Sequence, residues 1–151
     1  MEDVNLFLAH AVELEREAAR RYEELADGMN SIGNEDVEKF FLKMASFSRM
    51  HLGQAIARGG FHQLPVLKPE EYLWPEGSSP EQFGWVGVDS MIDVRGALEF
   101  ALEGEIRSCE FYSQIASETK DPEVRALASE FAAEESEHVA KLEKWVAKYA
   151  A

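Results

Sequence analysis

Four long stretches of this chain place apolar side chains at steps of three, four and seven, the period of an amphipathic helix rather than a strand. That pattern constrains the chain to an all-α fold. The first stretch runs from about 4 to 29, with Leu8, Ala11, Ala18, Tyr22, Leu25 and Met29 on one stripe. Glu13, Arg16, Glu17, Arg20, Glu23, Glu24 and Asp27 fall elsewhere on the wheel, and Asp3 is the expected N-cap. The second runs from 35 to 58, capped by Asn34 and ended by Gly59-Gly60, with the stripe Val37, Phe41, Met44, Ser48, His51 and Ala55. The third covers about 91 to 118, starting near Ser90 with Asp93 in the capping-box position. The fourth covers 122 to 149 and opens on Asp121-Pro122, an N-cap followed by a proline at the first helical position. Its stripe is Val124, Ala128, Phe131, Glu135, His138, Leu142, Trp145 and Tyr149.

The interval 59–90 is different in composition. It holds all the prolines but one, half of the ten glycines, and Trp74 and Trp85. Such a length without periodicity is unusual inside a compact domain. It suffices to return the chain from one end of a bundle to the other, and its aromatics predict that it packs down. The two halves of the chain also repeat. Residues 11–27 align with 101–117, pairing Glu15 with Glu105 and Tyr22 with Tyr112. Residues 37–51 align with 124–138, pairing His51 with His138. The expected architecture is therefore two helical hairpins joined by a long crossover, a four-helix bundle in one domain spanning 1–151.

A length of 151 residues suits one domain with a sizeable core. Twenty-nine acidic residues against 15 basic ones give a net charge of −14. That excess argues against a nucleic-acid or anionic-membrane partner, since both need positive charge to replace counterions. One cysteine, Cys109, excludes an intrachain disulfide and a Cys-only metal site within the chain. The first residues are acidic, without a basic run before an apolar one, and no window approaches the apolar length of a membrane span. The expected location is a reducing cytoplasm.

Polar residues interrupt every stripe: Glu15, then Ser48 and His51, then Glu105 and Ser108, then Glu135 and His138. Groups equidistant from the turn of an antiparallel hairpin sit at one level. Glu15 and the 48/51 pair are centred near residue 32, and Glu105 and the 135/138 pair near residue 121. Three carboxylates and two imidazoles thus share a height, roughly 25 Å from each turn at about 1.5 Å per residue. Buried together they repel one another and lose solvation unless protonated or bound to cations. Lys and Arg are nearly absent from the inner stripes, so a divalent ion is the simplest partner. Carboxylate and imidazole donors without thiolate suit iron or manganese, with zinc a frequent substitute.

At these residues the chain resembles the ferritin-like superfamily, in its rubrerythrin-type branch. The likeness is carried by Glu15 with Tyr22 seven residues on, Glu105 with Tyr112 seven on, and Glu135-Ser136-Glu137-His138. The resemblance implies a site for one or two iron ions on Glu15, His51, Glu105, Glu135 and His138. It implies that Tyr22 and Tyr112 hydrogen-bond carboxylates across the bundle. It also implies oxidoreductase chemistry on peroxide or dioxygen, as in rubrerythrin-type peroxidases and ferroxidases, and a homodimer. The second helix departs from the family: Ser48 stands where a bridging Glu is expected, and Ser108 where rubrerythrins carry a further Glu. Two metals, one, or none therefore remain open, the last as a non-catalytic helical interaction protein. No Cys-x-x-Cys pair is present, so electrons are expected from a separate donor, and no fifth helix argues for a storage cage.

The remaining polar and aromatic residues attract plainer expectations. Cys109 is read as a small buried filler and Glu134 as a solvated neighbour of the stripe. Trp74, Trp85 and Trp145 are read as packing residues, and His10 and His62 have no assigned role.

Overall fold

The computed structural model describes residues 1–58, 66–74 and 93–149. Four helices carry the fold: α1 (Val4–Ser31), α2 (Glu35–Arg58), α3 (Val94–Glu118) and α4 (Pro122–Lys148), and the described residues between α2 and α3 include a 3-10 turn at Pro69–Glu71. Each helix begins where a short polar side chain can accept from backbone N–H groups that lack an intrahelical partner. The Asp3 carboxylate accepts from Asn5 and Leu6, Asn34 from Val37, and Asp121 from Glu123 and Val124. In α3 the start lies later than the sequence suggests. Asp93 is itself the N-cap, in extended backbone, and accepts from the Gly96 N–H at 2.7 Å. Ser90 lies outside the described residues, as do Gly59, Gly60, His62 and Trp85. Among the described residues, no helix is long and apolar enough to cross a membrane.

α1 packs against α2, and α3 against α4, as two antiparallel hairpins. Their turns lie at opposite ends of the bundle. The Asn34 side chain, in the first turn, donates to the Tyr149 hydroxyl at the end of α4. At the other end, the Glu2 carboxylate accepts from the backbone N–H groups of Lys120 and Asp121 and from the Thr119 hydroxyl. The crossover between α2 and α3 therefore has to traverse the bundle lengthwise.

The core divides into two apolar plugs. One gathers Tyr22, Leu25, Met29, Phe41, Met44 and Leu98 near the first turn. The other gathers Phe7, Leu14, Phe111, Tyr112, Val124 and Phe131 near the second. Neither contains Glu15, His51, Glu105, Glu135 or His138, which lie between them along the helices.

α1 is buried over a wider arc than its stripe suggests. Glu17, placed by the wheel off the apolar face, is buried, and so is Arg21, whose guanidinium lies 5.6 Å from the centre of the Phe100 ring on α3. On another flank the crossover covers α1. His10 is fully buried, its Nδ1–H donates to the Leu6 carbonyl at 2.8 Å, and its Nε2 accepts from the Leu73 N–H at 2.7 Å. Its ring packs edge-on against Tyr72 and Trp74. His10 is thus the clip that holds the crossover to α1, and Trp74 is the packing residue that its composition suggests.

Burial pushes the His10 pKa below its ordinary value. The unfolded chain therefore takes up the proton first, near pH 6.5. The stability contributed by neutral His10 is present above that pH and lost as the pH falls below it. We expect the melting temperature of His10→Gln to fall less than that of the wild type between pH 7.5 and 5.5, by about 2–4 °C. Thermal unfolding followed by circular dichroism checks this, and parallel falls in the two proteins contradict it.

Candidate metal centre

The interruption between the plugs is built from all four helices. Glu15 comes from α1, Ser48 and His51 from α2, Glu105 and Ser108 from α3, and Glu135 and His138 from α4. All seven are buried. Helical spacing explains each pair, since residues three apart share a face. The structure brings together the five titratable residues singled out by the sequence. His51 Nδ1 stands 3.9 Å from Glu15 Oε1. His138 Nδ1 stands 3.6 Å from Glu105 Oε2 and 3.5 Å from Glu135 Oε2. The two imidazoles stack, with centroids 5.2 Å apart and planes 11° from parallel.

These distances suit an ion better than a hydrogen bond. Neither His51 Nδ1 nor His138 Nδ1 has a hydrogen-bond partner among the described residues, although both atoms are buried. Donors that each lie about 2.0–2.2 Å from a shared ion stand some 3–4 Å from one another. His51, Glu135 and His138 can each offer a ligand atom, all within 4.8 Å of one another. Burial, with the nearby His138 and Lys141 charges, lowers the His51 pKa to about 4. Its imidazole is therefore neutral at neutral pH, a metal donor rather than a counter-charge for the carboxylates.

Two residues orient the donors. Tyr22 donates its hydroxyl proton to Glu105 Oε1 at 2.6 Å, a short charge-assisted bond that ties α1 to α3. Glu134 corrects the expectation of a solvated side chain. It is half-buried, and its Oε2 stands 3.3 Å from His51 Nε2. Burial, and then the neighbouring Glu130 carboxylate, raise its pKa. A carboxylate on the Nε2 side favours the tautomer that carries the proton there, leaving the Nδ1 lone pair turned toward Glu15. A helical wheel of α4 alone hides this, because Glu134 lies about 100° from Glu135 on the helix. The usable signal is the series Glu130, Glu134, His138 at steps of four, a second polar row beside the stripe.

Other candidates lie in the following surroundings. Tyr112 is fully buried among Phe7, Phe111 and Phe131. Cys109 is half-buried rather than buried, and its thiol donates to the Ala132 carbonyl at 3.5 Å. Burial pushes that thiol pKa up, so it stays protonated. Trp145 stacks on Phe40 at 4.7 Å.

The rubrerythrin family model matches residues 7–69 and 96–151, a span that contains every residue of the buried polar layer. The chain belongs to the rubrerythrin family. The gap in the match, 70–95, falls within the stretch between α2 and α3. The fold of this rubrerythrin-family chain is also similar to the crystal structure of an uncharacterized conserved protein from Magnetospirillum magnetotacticum MS-1. The two are 41% identical with a TM-score of 0.79, over 96% of this chain and 94% of that one. No curated protein matches the sequence significantly.

The contact between Glu134 and His51 is open to a direct test in the metal-free protein. We expect 15N NMR to show His51 as the Nε2–H tautomer, and Glu134→Ala to shift it toward a mixture of both. Zinc affinity should fall by about 10–100-fold in the same variant. An unchanged tautomer would remove Glu134 from the site.

Proposed function

We propose that the buried polar layer binds iron, and that the protein is an oxidoreductase of the rubrerythrin and ferroxidase type acting on peroxide or dioxygen. One observation carries this reading. Two buried imidazole nitrogens without hydrogen-bond partners face carboxylate oxygens at 3.5–3.9 Å. Buried polar atoms left without hydrogen-bond partners are costly in an apolar interior, and a cation held between these imidazoles and carboxylates would remove that cost. Membership of the rubrerythrin family and the thiolate-free donor set favour iron, with manganese or zinc as substitutes.

In this reading His51, Glu135 and His138 hold one ion, and Glu15 and Glu105 extend the donor set toward a second. Bound iron would supply the electrons for the reduction of peroxide or dioxygen. The residues of the chain do the rest. Tyr22 fixes the Glu105 carboxylate, Glu134 fixes the His51 ring, and the two apolar plugs keep water from the donors. Ser48 favours a second reading, a mononuclear centre, because a neutral hydroxyl replaces the carboxylate that would bridge two ions. The reading includes a separate electron donor, a homodimer and a cytoplasmic setting.

Metal analysis after anaerobic iron loading tests the proposal. We expect at least one iron per chain, and less than about 0.1 would overturn the reading. Glu135→Ala should lose most of that metal and melt at a lower temperature. Ser48→Glu discriminates the two stoichiometries: a rise from one ion to two makes the native centre mononuclear, whereas two ions in both make it dinuclear. An absorbance change on peroxide addition separates an oxidoreductase from a simple metal carrier.

A further inference from the structure

Outside the polar layer, α2 and α4 leave a groove of about 430 Å3 on the surface. Its apolar lining comes from Phe40, Phe47 and Trp145, and Lys39, Lys43, Lys141 and Lys144 surround them with the single carboxylate of Asp36. In a chain of net charge −14, four ammonium groups against one carboxylate form a local reversal of sign. None of the four is in an ion pair among the described residues, whereas Arg16, Arg49, Arg58 and Arg95 each pair with a glutamate. Two of them are held over an aromatic ring instead. Lys141 Nζ lies 4.3 Å and Lys43 Nζ 5.8 Å from the centre of the Phe47 ring. Phe47 in turn stacks on His138, with centroids 5.8 Å apart and planes 19° from parallel. One aromatic ring therefore links the lysine groove to the buried donor layer.

We propose that this groove is the docking surface for the acidic face of a one-electron carrier protein. The proposal rests on the oxidoreductase reading above and adds to it the place and the chemistry of the partner. Charge complementarity selects the occupant. An acidic protein is repelled by most of this surface and attracted to this patch, so its approach is steered and its orientation set by the same charges. The carrier loses one electron and the metal layer gains it; no bond forms or breaks and no proton has to move with it. Docked here, the carrier would stand next to Phe47, whose contact with His138 is the aromatic link from the groove to the donor layer that would hold the accepting metal.

The test uses two probes on the full chain: a fluorescent oligo-glutamate peptide, and a reduced acidic [2Fe–2S] ferredoxin. Binding is measured on metal-free protein, and ferredoxin oxidation on iron-loaded protein. We expect both probes to bind the wild type, more weakly as salt is raised, because screening acts on exposed charges. The combined variant Lys39→Glu, Lys43→Glu, Lys141→Glu and Lys144→Glu should bind both at least about tenfold more weakly and oxidise ferredoxin correspondingly more slowly, a loss of about 1.4 kcal/mol of binding. Arg16→Glu with Arg95→Glu, which reverses charge on α1 and α3, should bind as the wild type does. Circular dichroism confirms that each variant is folded, and Lys43→Ala with Lys141→Ala gives a milder pair should the quadruple variant unfold. No binding by the wild type, or equal weakening in the α1/α3 variant, overturns the proposal. So does a dimer that dissociates in the lysine variant, because the groove then belongs to a second copy of this chain. Failure to load iron would sink the oxidoreductase reading and the electron transfer with it, whereas loss of binding in metal-free protein would sink the docking surface alone.

Discussion

Three carboxyl groups are held at mid-height in an apolar bundle, and the surrounding contacts answer to that placement. Removing an ionised carboxylate from water costs several kcal/mol even after relaxation. Glu15, Glu105 and Glu135 are all buried, and the neighbouring His51 is kept neutral by its surroundings. The apolar plugs on either side make up for part of that cost and also create it, because they exclude the water that would solvate the charges. On the proposed reading, a cation among the donors would relieve that cost and couple folding to metal binding.

The supporting contacts follow from that constraint. Donors on four helices stay within ion-binding distance only if each is oriented. The Tyr22 hydroxyl does this for Glu105, and the Glu134 carboxylate for His51. The crossover contributes at a distance, since its backbone at Leu73 is fastened to α1 through His10, one turn and a half before Glu15. The layer is thus braced from the bundle interior, from the α2–α4 flank and from the crossover.

What the sequence reveals divides by the range of the interactions. Helix ends are local, so Asp3, Asn34 and Asp121 could be read directly as caps, and they accept the backbone bonds expected of them. The convergence of Glu15, His51, Glu105, Glu135 and His138 was legible because counting outward from each turn fixes their height. Asp93 was misread by one role: a cap and a third-position acid look alike when the residues before them have no period. Glu17 and Glu134 were placed off the buried face because a wheel describes one helix at a time. Burial off the stripe comes from neighbours on other helices, as α2 shows for Glu134 and α3 for Arg21. His10 lacked a role for a similar reason, since its partner Leu73 lies in a stretch without periodicity.

The placement of the two turns has a mechanical consequence. One hairpin is closed at the end where the other is open, and each open end is latched by a side chain, Tyr149 on Asn34 at one end and Glu2 on the 119–121 turn at the other. Neither hairpin can splay like scissors without breaking a latch. The donors sit at mid-height, between the two latched ends. On the proposed reading, a change in charge at the centre would be taken up by glutamate side chains turning about their own bonds rather than by the latched helices.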